Sequence, residues 1–258
     1  ALLMKGTLSF LALLFVNGCF LAQNIDSSAK KSVFLPKITH FVKSDYKPFW
    51  LKVKQKRNEK HLEYIKQIEH SDFKVFDSVL KSLPSHTNLQ LGNSSAIRYT
   101  QLFSLNKTLE VYCNRGTSGI DGSTSTAVGF SVVSKKRTVF ITGDLSFLYD
   151  SNGLWNNYMP NNFRIIVVNN QGGGIFRILP GQKNTENFDT FFETKHDLNA
   201  KHLSKMYGIE YVSVKTDQQL KNKLETFYSE SYRPKLLEIF TPRIINDEVL
   251  LNYFDFLV

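Results

Sequence analysis

TVFITGDLSFLYDSNGLWNNYMPNNFRIIVVNNQGGG, residues 138–174, contains two apolar runs, each closed by an oxygen-bearing side chain. TVFIT (138–142) and FRIIVV (163–168) show almost no polar alternation, as expected of strands buried on both faces of a parallel sheet. Gly143 and Asp144 follow the first run; Asn169, Asn170 and the glycines at 172–174 follow the second. Singly, Asp144 and Asn170 read as turn residues. As a pair at two strand ends they also read as hard oxygen donors suited to Mg²⁺ or Ca²⁺.

The same pattern continues outward. Further strands are predicted at 88–91 (NLQL), 109–112 (LEVY), 210–214 (EYVSV) and 235–240 (KLLEIF). Helical patterns fall at 95–103, 122–134, 146–158, 199–207 and 217–230, and there is no internal repeat. Upstream, the pattern is helical over 59–70. Ser71 then reads as an N-cap before Phe73, Phe76, Val79, Leu80 and Leu83, with Pro84 as the stop. The expected fold is α/β: three layers, with about six mostly parallel strands and helices on both faces. Residues 59–245 form the domain, 1–58 an amino-terminal segment and linker, and 246–258 a carboxy-terminal tail or helix.

Ligands of such sheets sit at the carboxyl ends of the strands, and the distinctive polar clusters fall there. Asn93, Ser94 and Arg98 follow NLQL, and NRGTSGIDG (114–122) follows LEVYC. Each could be an ordinary turn, but four such ends on one sheet point to a shared crevice. Glycines 172–174 let the backbone approach a bound group closely. Mg²⁺ held by few protein ligands completes its shell with phosphate oxygens and water. Ser146 is expected to begin a helix whose exposed N–H groups favour phosphate. A Mg²⁺-bridged diphosphate is therefore expected, without a P-loop, because GxxxxGK[ST] is missing.

Asp144 after a glycine and Asn170 26 residues later, each closing an apolar strand, resemble the thiamin diphosphate-binding motif. NRGTSGIDG, GDLSFLYD and VVNNQGGGIF together resemble one branch, the 2-succinyl-5-enolpyruvyl-6-hydroxy-3-cyclohexene-1-carboxylate synthases of menaquinone biosynthesis. The likeness is strong over 88–180 and weaker through 191–211. It implies thiamin diphosphate with Mg²⁺, or Mn²⁺ in its place. Asp144, Asn170 and the Gly172 carbonyl would hold the metal, with Gly143, Leu145, Ser146, Gly173 and Ile175 also at the cofactor.

Ser94, Arg98 and Arg115 would line the substrate side, and Ile120, Ile175 and Phe176 the apolar surroundings of the thiazolium and substrate. The implied reaction is an acyl transfer. 2-Oxoglutarate is decarboxylated with release of CO₂, and the succinyl-semialdehyde carbanion adds to isochorismate. Arginine suits the carboxylates of both substrates. At residue level Ser94 could equally be a helix cap, and the arginines could be surface ion pairs.

The resemblance also implies an activating glutamate from a separate pyrimidine-binding domain, contributed across a homodimer or within a homotetramer. This chain has no room for that domain, and Glu59, Glu63 and Glu69 lie in a lysine-rich helical stretch. The expectation is a diphosphate-binding half, a fragment or split-gene product, inactive alone and needing a partner chain for the missing domain. Other readings remain: a different thiamin diphosphate-dependent 2-oxo acid decarboxylase or carboligase, or a non-catalytic exported domain that kept the fold. The arginines weigh against simple decarboxylases of apolar 2-oxo acids.

With 42% hydrophobic and 13% aromatic residues among 258, the chain has ample core material and is not a disordered sequence. Its formal charge of +9 is concentrated in a polar stretch at 30–66, read as a solvated face rather than a nucleic-acid groove. Cys19 and Cys113 have no metal or disulfide-framework spacing and read as free thiols. Residues 1–22, with LSFLALLFV and VNGC, resemble a bacterial export signal. Cytosolic substrates and cofactor favour a cytoplasmic location instead, and no membrane or nucleic-acid partner is expected.

Overall fold

The computed structural model describes residues 44–179, 183 and 185–258, so the signal-like run and Cys19 lie outside the described residues. Helices α1 (Tyr46–Gln67) and α2 (Asp72–Ser82) precede strand β1 (Asn88–Leu91). There follow α3 (Ser95–Thr100), β2 (Glu110–Cys113), α4 (Ser123–Val133), β3 (Thr138–Gly143) and α5 (Asp144–Tyr149). Next come β4 (Phe163–Asn169), α6 (Lys201–Met206), β5 (Glu210–Val214), α7 (Asp217–Phe227), β6 (Lys235–Phe240) and α8 (Asn246–Leu257). The strands form one sheet in the order β2-β1-β3-β4-β6-β5, and every pairing is parallel.

The near-continuous apolar runs are explained by the two faces they serve. Val139 and Ile141 of β3 and Ile166 and Val168 of β4 join one cluster with Phe73 and Phe76 of α2, Leu220 of α7 and Leu250 of α8. Their neighbours Phe140, Phe163, Ile165 and Val167 turn the other way, to Val128 of α4, Phe147 of α5 and Leu154. Alternation along a strand thus separates two cores rather than core from water. Burying one Phe of this kind contributes roughly 2–3 kcal/mol relative to leaving it exposed.

Arg164 interrupts β4 yet is almost fully buried. Its Nε donates to the carbonyl of Phe227 at 3.0 Å, at the C-terminal end of α7, and its Nη1 to Asn161 O at 2.7 Å. Unpaired carbonyls at a helix end stabilise a cation there. Burial nevertheless lowers its pKa from the ordinary guanidinium range.

Several elements differ from their predicted bounds. α1 begins at Tyr46, not near 59, and runs through the position where a boundary was expected. Pro48 lies in its first turn, where the missing N–H would be unsatisfied in any case. The lysine-rich face of α1 is exposed, while Tyr64 is buried and donates to Val249 O of α8 at 2.6 Å. The helix predicted over 146–158 starts at Asp144 and stops at Tyr149. Asp150 leaves it to accept the Ser125 amide at 2.7 Å and hydroxyl at 2.9 Å, and a 3₁₀ turn follows at Ser151–Leu154. Ser71 occupies the N-cap position of α2, but its hydroxyl donates to Glu69 O instead of capping. Past β6, α8 packs back with Leu250 and Tyr253 buried. No helix among the described residues is long and apolar enough to cross a membrane.

Candidate functional site

β1 and β3 are neighbours, but the chain leaves them toward opposite edges of the sheet, to β2 on one side and β4 on the other. This is a topological switch point, where parallel sheets open a crevice beyond the strand ends. A narrow cleft lies there, half open to solvent. Its lining includes Asn93, Ser94, Ile120, Gly143, Asp144, Leu145, Ser146, Asn170, Gly172, Gly173, Ile175 and Phe176. Four sequence-distant strand ends thus contribute to one site.

Asp144 is almost fully buried. Its Oδ1 accepts the Leu145 amide at 2.7 Å and its Oδ2 the Gly172 amide at 3.0 Å. A carboxylate oxygen has about two lone-pair positions, so Oδ1 can still face a cation. Asn170 Nδ2 donates to Asp72 Oδ2 at 2.8 Å, whereas Asn170 Oδ1 is buried without a hydrogen-bond partner. A buried, orphaned amide oxygen is costly in a folded protein. Beside a carboxylate in the same cleft, it fits the donor set of a hard divalent cation. The Gly172 carbonyl accepts the Gly174 amide at 3.1 Å and keeps a second lone pair.

Ser146 does not begin a helix. Its hydroxyl donates to Ile120 O at 2.6 Å and ties the 114–122 loop to α5. Ser94 precedes α3 at φ 63°, ψ −124° and makes no side-chain cap bond. Arg98 and Arg115 stand behind the lining: Arg98 Nη1 donates to Ser94 O at 2.9 Å, and Arg115 Nη1 to Asn93 Oδ1 at 3.3 Å. Burial, reinforced by the Arg115 charge, lowers the Arg98 pKa from its ordinary value. This side of the cleft is therefore cationic.

Three residues at the site were not singled out in the sequence. Asp72 starts α2 and lines the cleft; burial pushes its carboxyl up to about 6, against hydrogen bonds from Thr241 and Asn170. His196 Nδ1 accepts the Leu198 amide at 3.1 Å, and its Nε2 lies 3.3 Å from Asp144 Oδ2. The Asp144 carboxylate raises its pKa, against burial. Glu193, fully buried, is paired with Arg177 and Arg243 and accepts the Gly173 amide through its backbone carbonyl at 2.6 Å. The mixed apolar and charged run FFETKH (191–196) hid the last two, because it closes no predicted strand.

Residues 92–239 match the family described as thiamine pyrophosphate enzyme, C-terminal TPP binding domain. That span covers more than half of the chain and contains all four strand ends. The chain belongs to this family of thiamine pyrophosphate enzyme C-terminal domains.

Relatives of this thiamine pyrophosphate family include the 2-succinyl-5-enolpyruvyl-6-hydroxy-3-cyclohexene-1-carboxylate synthase of Christiangramia forsetii. It is 57% identical over 205 residues, 80% of this chain and 36% of the relative. The synthase of the same description from Flavobacterium psychrophilum is 54% identical over 221 residues, 86% of this chain and 40% of the relative. That of Porphyromonas gingivalis is 39% identical over 213 residues, 82% of this chain and 37% of the relative. The chain therefore spans between a third and two-fifths of the length of these thiamine pyrophosphate-family relatives.

Proposed function

We propose that this chain is the diphosphate-binding part of a thiamin diphosphate- and Mg²⁺-dependent synthase of menaquinone biosynthesis, acting on 2-oxoglutarate and isochorismate. The observation that carries the reading is the pairing, in one cleft, of the Asp144 carboxylate with the orphaned Asn170 Oδ1. Family membership and the synthase relatives support it. Asp144, Asn170 and the Gly172 carbonyl would hold Mg²⁺, with Mn²⁺ an acceptable substitute. Gly143, Leu145, Ser146 and Gly173 would bring backbone close to the diphosphate.

When bound, thiamin diphosphate supplies the electron sink for decarboxylation and carbon–carbon bond formation. The protein supplies position and charge. Ile120, Ile175 and Phe176 would exclude water from the reacting carbons. Arg98 and Arg115, through the cationic wall behind Ser94, would attract and orient the substrate carboxylates. A pyrimidine-binding domain would come from the rest of the enzyme, in a cytoplasmic homo-oligomer or from a partner chain.

Calorimetric titration of thiamin diphosphate into the chain, with and without Mg²⁺, tests the site. Binding is expected to require Mg²⁺ and to vanish in Asp144→Ala. Unchanged heat in the variant would sink the assignment.

A further inference from the structure

Asp72 reaches the cleft from α2, outside the strand-end segments. It is buried, and no Lys or Arg among the described residues forms an ion pair with it. Its carboxylate accepts hydrogen bonds from two neutral side chains. Oδ1 accepts the Thr241 hydroxyl at 2.6 Å, and Oδ2 accepts Asn170 Nδ2 at 2.8 Å. Its backbone amide donates to Asn246 Oδ1 at 2.8 Å.

Burying a carboxylate without a cation is unfavourable, and an apolar side chain of similar size is often the more stable choice. The helix N-terminus and the two accepted hydrogen bonds offset part of that cost. The chemistry of the Asp72 carboxylate accounts for one feature of Asn170. An ionised carboxylate only accepts, so it selects the NH₂ end of the neighbouring amide. With Nδ2 committed to Asp72, Oδ1 is turned to the opposite side, where it has no partner. A β-carbon at Gly174 would lie 3.1 Å from that same Nδ2, so the amide is also packed from the loop side. An amide free to flip would offer N–H groups to a cation as readily as an oxygen.

We propose that Asp72 is a positioning residue of the site: it fixes the Asn170 side chain with its carbonyl oxygen toward the metal position. The inference rests on the metal-site reading of Asn170 given above. Thr241, which follows β6, and Asn246, at the start of α8, hold Asp72 in turn, so the carboxy-terminal part of the fold sets the orientation of a group at the end of β4.

Titrations of thiamin diphosphate with Mg²⁺ into Asp72→Leu and into the exchanged pair Asp72→Asn/Asn170→Asp decide the matter. The leucine variant is expected to bind at least about tenfold more weakly, the usual consequence of losing a partner that orients a metal ligand. In the exchanged pair, the new amide at position 72 would donate to the new carboxylate at position 170. The other oxygen of that carboxylate is left to the metal, so affinity is expected within about threefold of the parent. A merely structural role predicts no such rescue.

Parental affinity in the leucine variant overturns the proposal. So does an exchanged pair that binds no better than the leucine variant. Absence of Mg²⁺-dependent binding in the unaltered chain counts against the metal-site reading instead. The ligand-free NMR signals of the Asn170 side-chain amide then settle the positioning claim. Slow solvent exchange in the parent, lost in Asp72→Leu, supports it; equal exchange in both refutes it.

Discussion

Gly172 lies directly beneath the backbone carbonyl of Glu193: a β-carbon at Gly172 would stand 2.7 Å from that oxygen. The neighbouring Gly173 amide donates to the same oxygen at 2.6 Å, and Gly172 itself adopts φ 153°. Glycine is thus required here by contact within the protein, in addition to any approach to a diphosphate. The loop that carries the metal candidates is built against the 188–196 segment.

Gly172→Ala is accordingly expected to be among the most damaging single-methyl additions in the chain. It combines an overpacked backbone contact with a positive φ that side chains rarely adopt, together about 3 kcal/mol of destabilisation. Urea denaturation of the variant beside the parent measures it. A loss below about 1 kcal/mol would mean that the two segments separate easily.

Glu193→Gln tests how firmly that contact is anchored. The Glu193 carboxylate is buried between Arg177 and Arg243, and Asp189 lies 3.8 and 3.9 Å from the two guanidinium groups. The hydrogen bond to Glu193 is the main reason the Arg177 pKa is raised. Removing the buried charge leaves two arginines facing an amide, which costs about 3–5 kcal/mol in comparable pairs. Hydrogen exchange at the Gly173 amide should accelerate with the fall in stability. If stability falls while that amide keeps its protection, the carbonyl is held by other contacts.

Ser94→Gly addresses the strain at the end of β1. With φ 63° and ψ −124°, Ser94 sits where a side chain costs roughly 1–3 kcal/mol. Glycine should raise the denaturation midpoint by an amount equivalent to about 1 kcal/mol, the gain from relieved strain exceeding its entropic cost. A lower midpoint would mean that the side chain contributes packing worth more than the strain.

The legibility of this chain follows from how local each signal is. β3 and β4 were readable because their apolar runs are dictated by two cores at once, and Asp144 and Asn170 because they close those runs. Pro48 misled because a proline in a first helical turn looks like a linker residue until the helix bounds are known. The helix predicted to run to 158 was drawn too long because Asp150 leaves it to accept hydrogen bonds from Ser125, 25 residues away in sequence. Asp72 was invisible for a deeper reason. An acidic residue in the first turn of a helix is ordinary, and its partners Asn170 and Thr241 are 98 and 169 residues distant.

Cys113 provides a pH-dependent test of the cationic side of the cleft. It ends β2 as a free thiol, 3.6 Å from Asn93 Oδ1, and burial pushes its pKa up to about 11, against the influence of Arg115. In a Cys19→Ser background, iodoacetamide at pH 8 should therefore modify the folded chain at least about tenfold more slowly than a free thiol. The linkage has a definite sign. From the ordinary value of 9.0 up to about 11, the folded chain holds a proton that the unfolded chain releases, so stability falls as pH rises through that window. Tyr211, Tyr228 and Tyr253, each raised to about 12, act in the same direction at higher pH, so the comparison must be with Cys113→Ala. The stability advantage of the parent over that variant should shrink between about pH 9 and 11. An advantage that stays constant, together with rapid alkylation at pH 8, would show that the thiol is reached by solvent and that the Asn93–Arg115 side of the cleft opens readily.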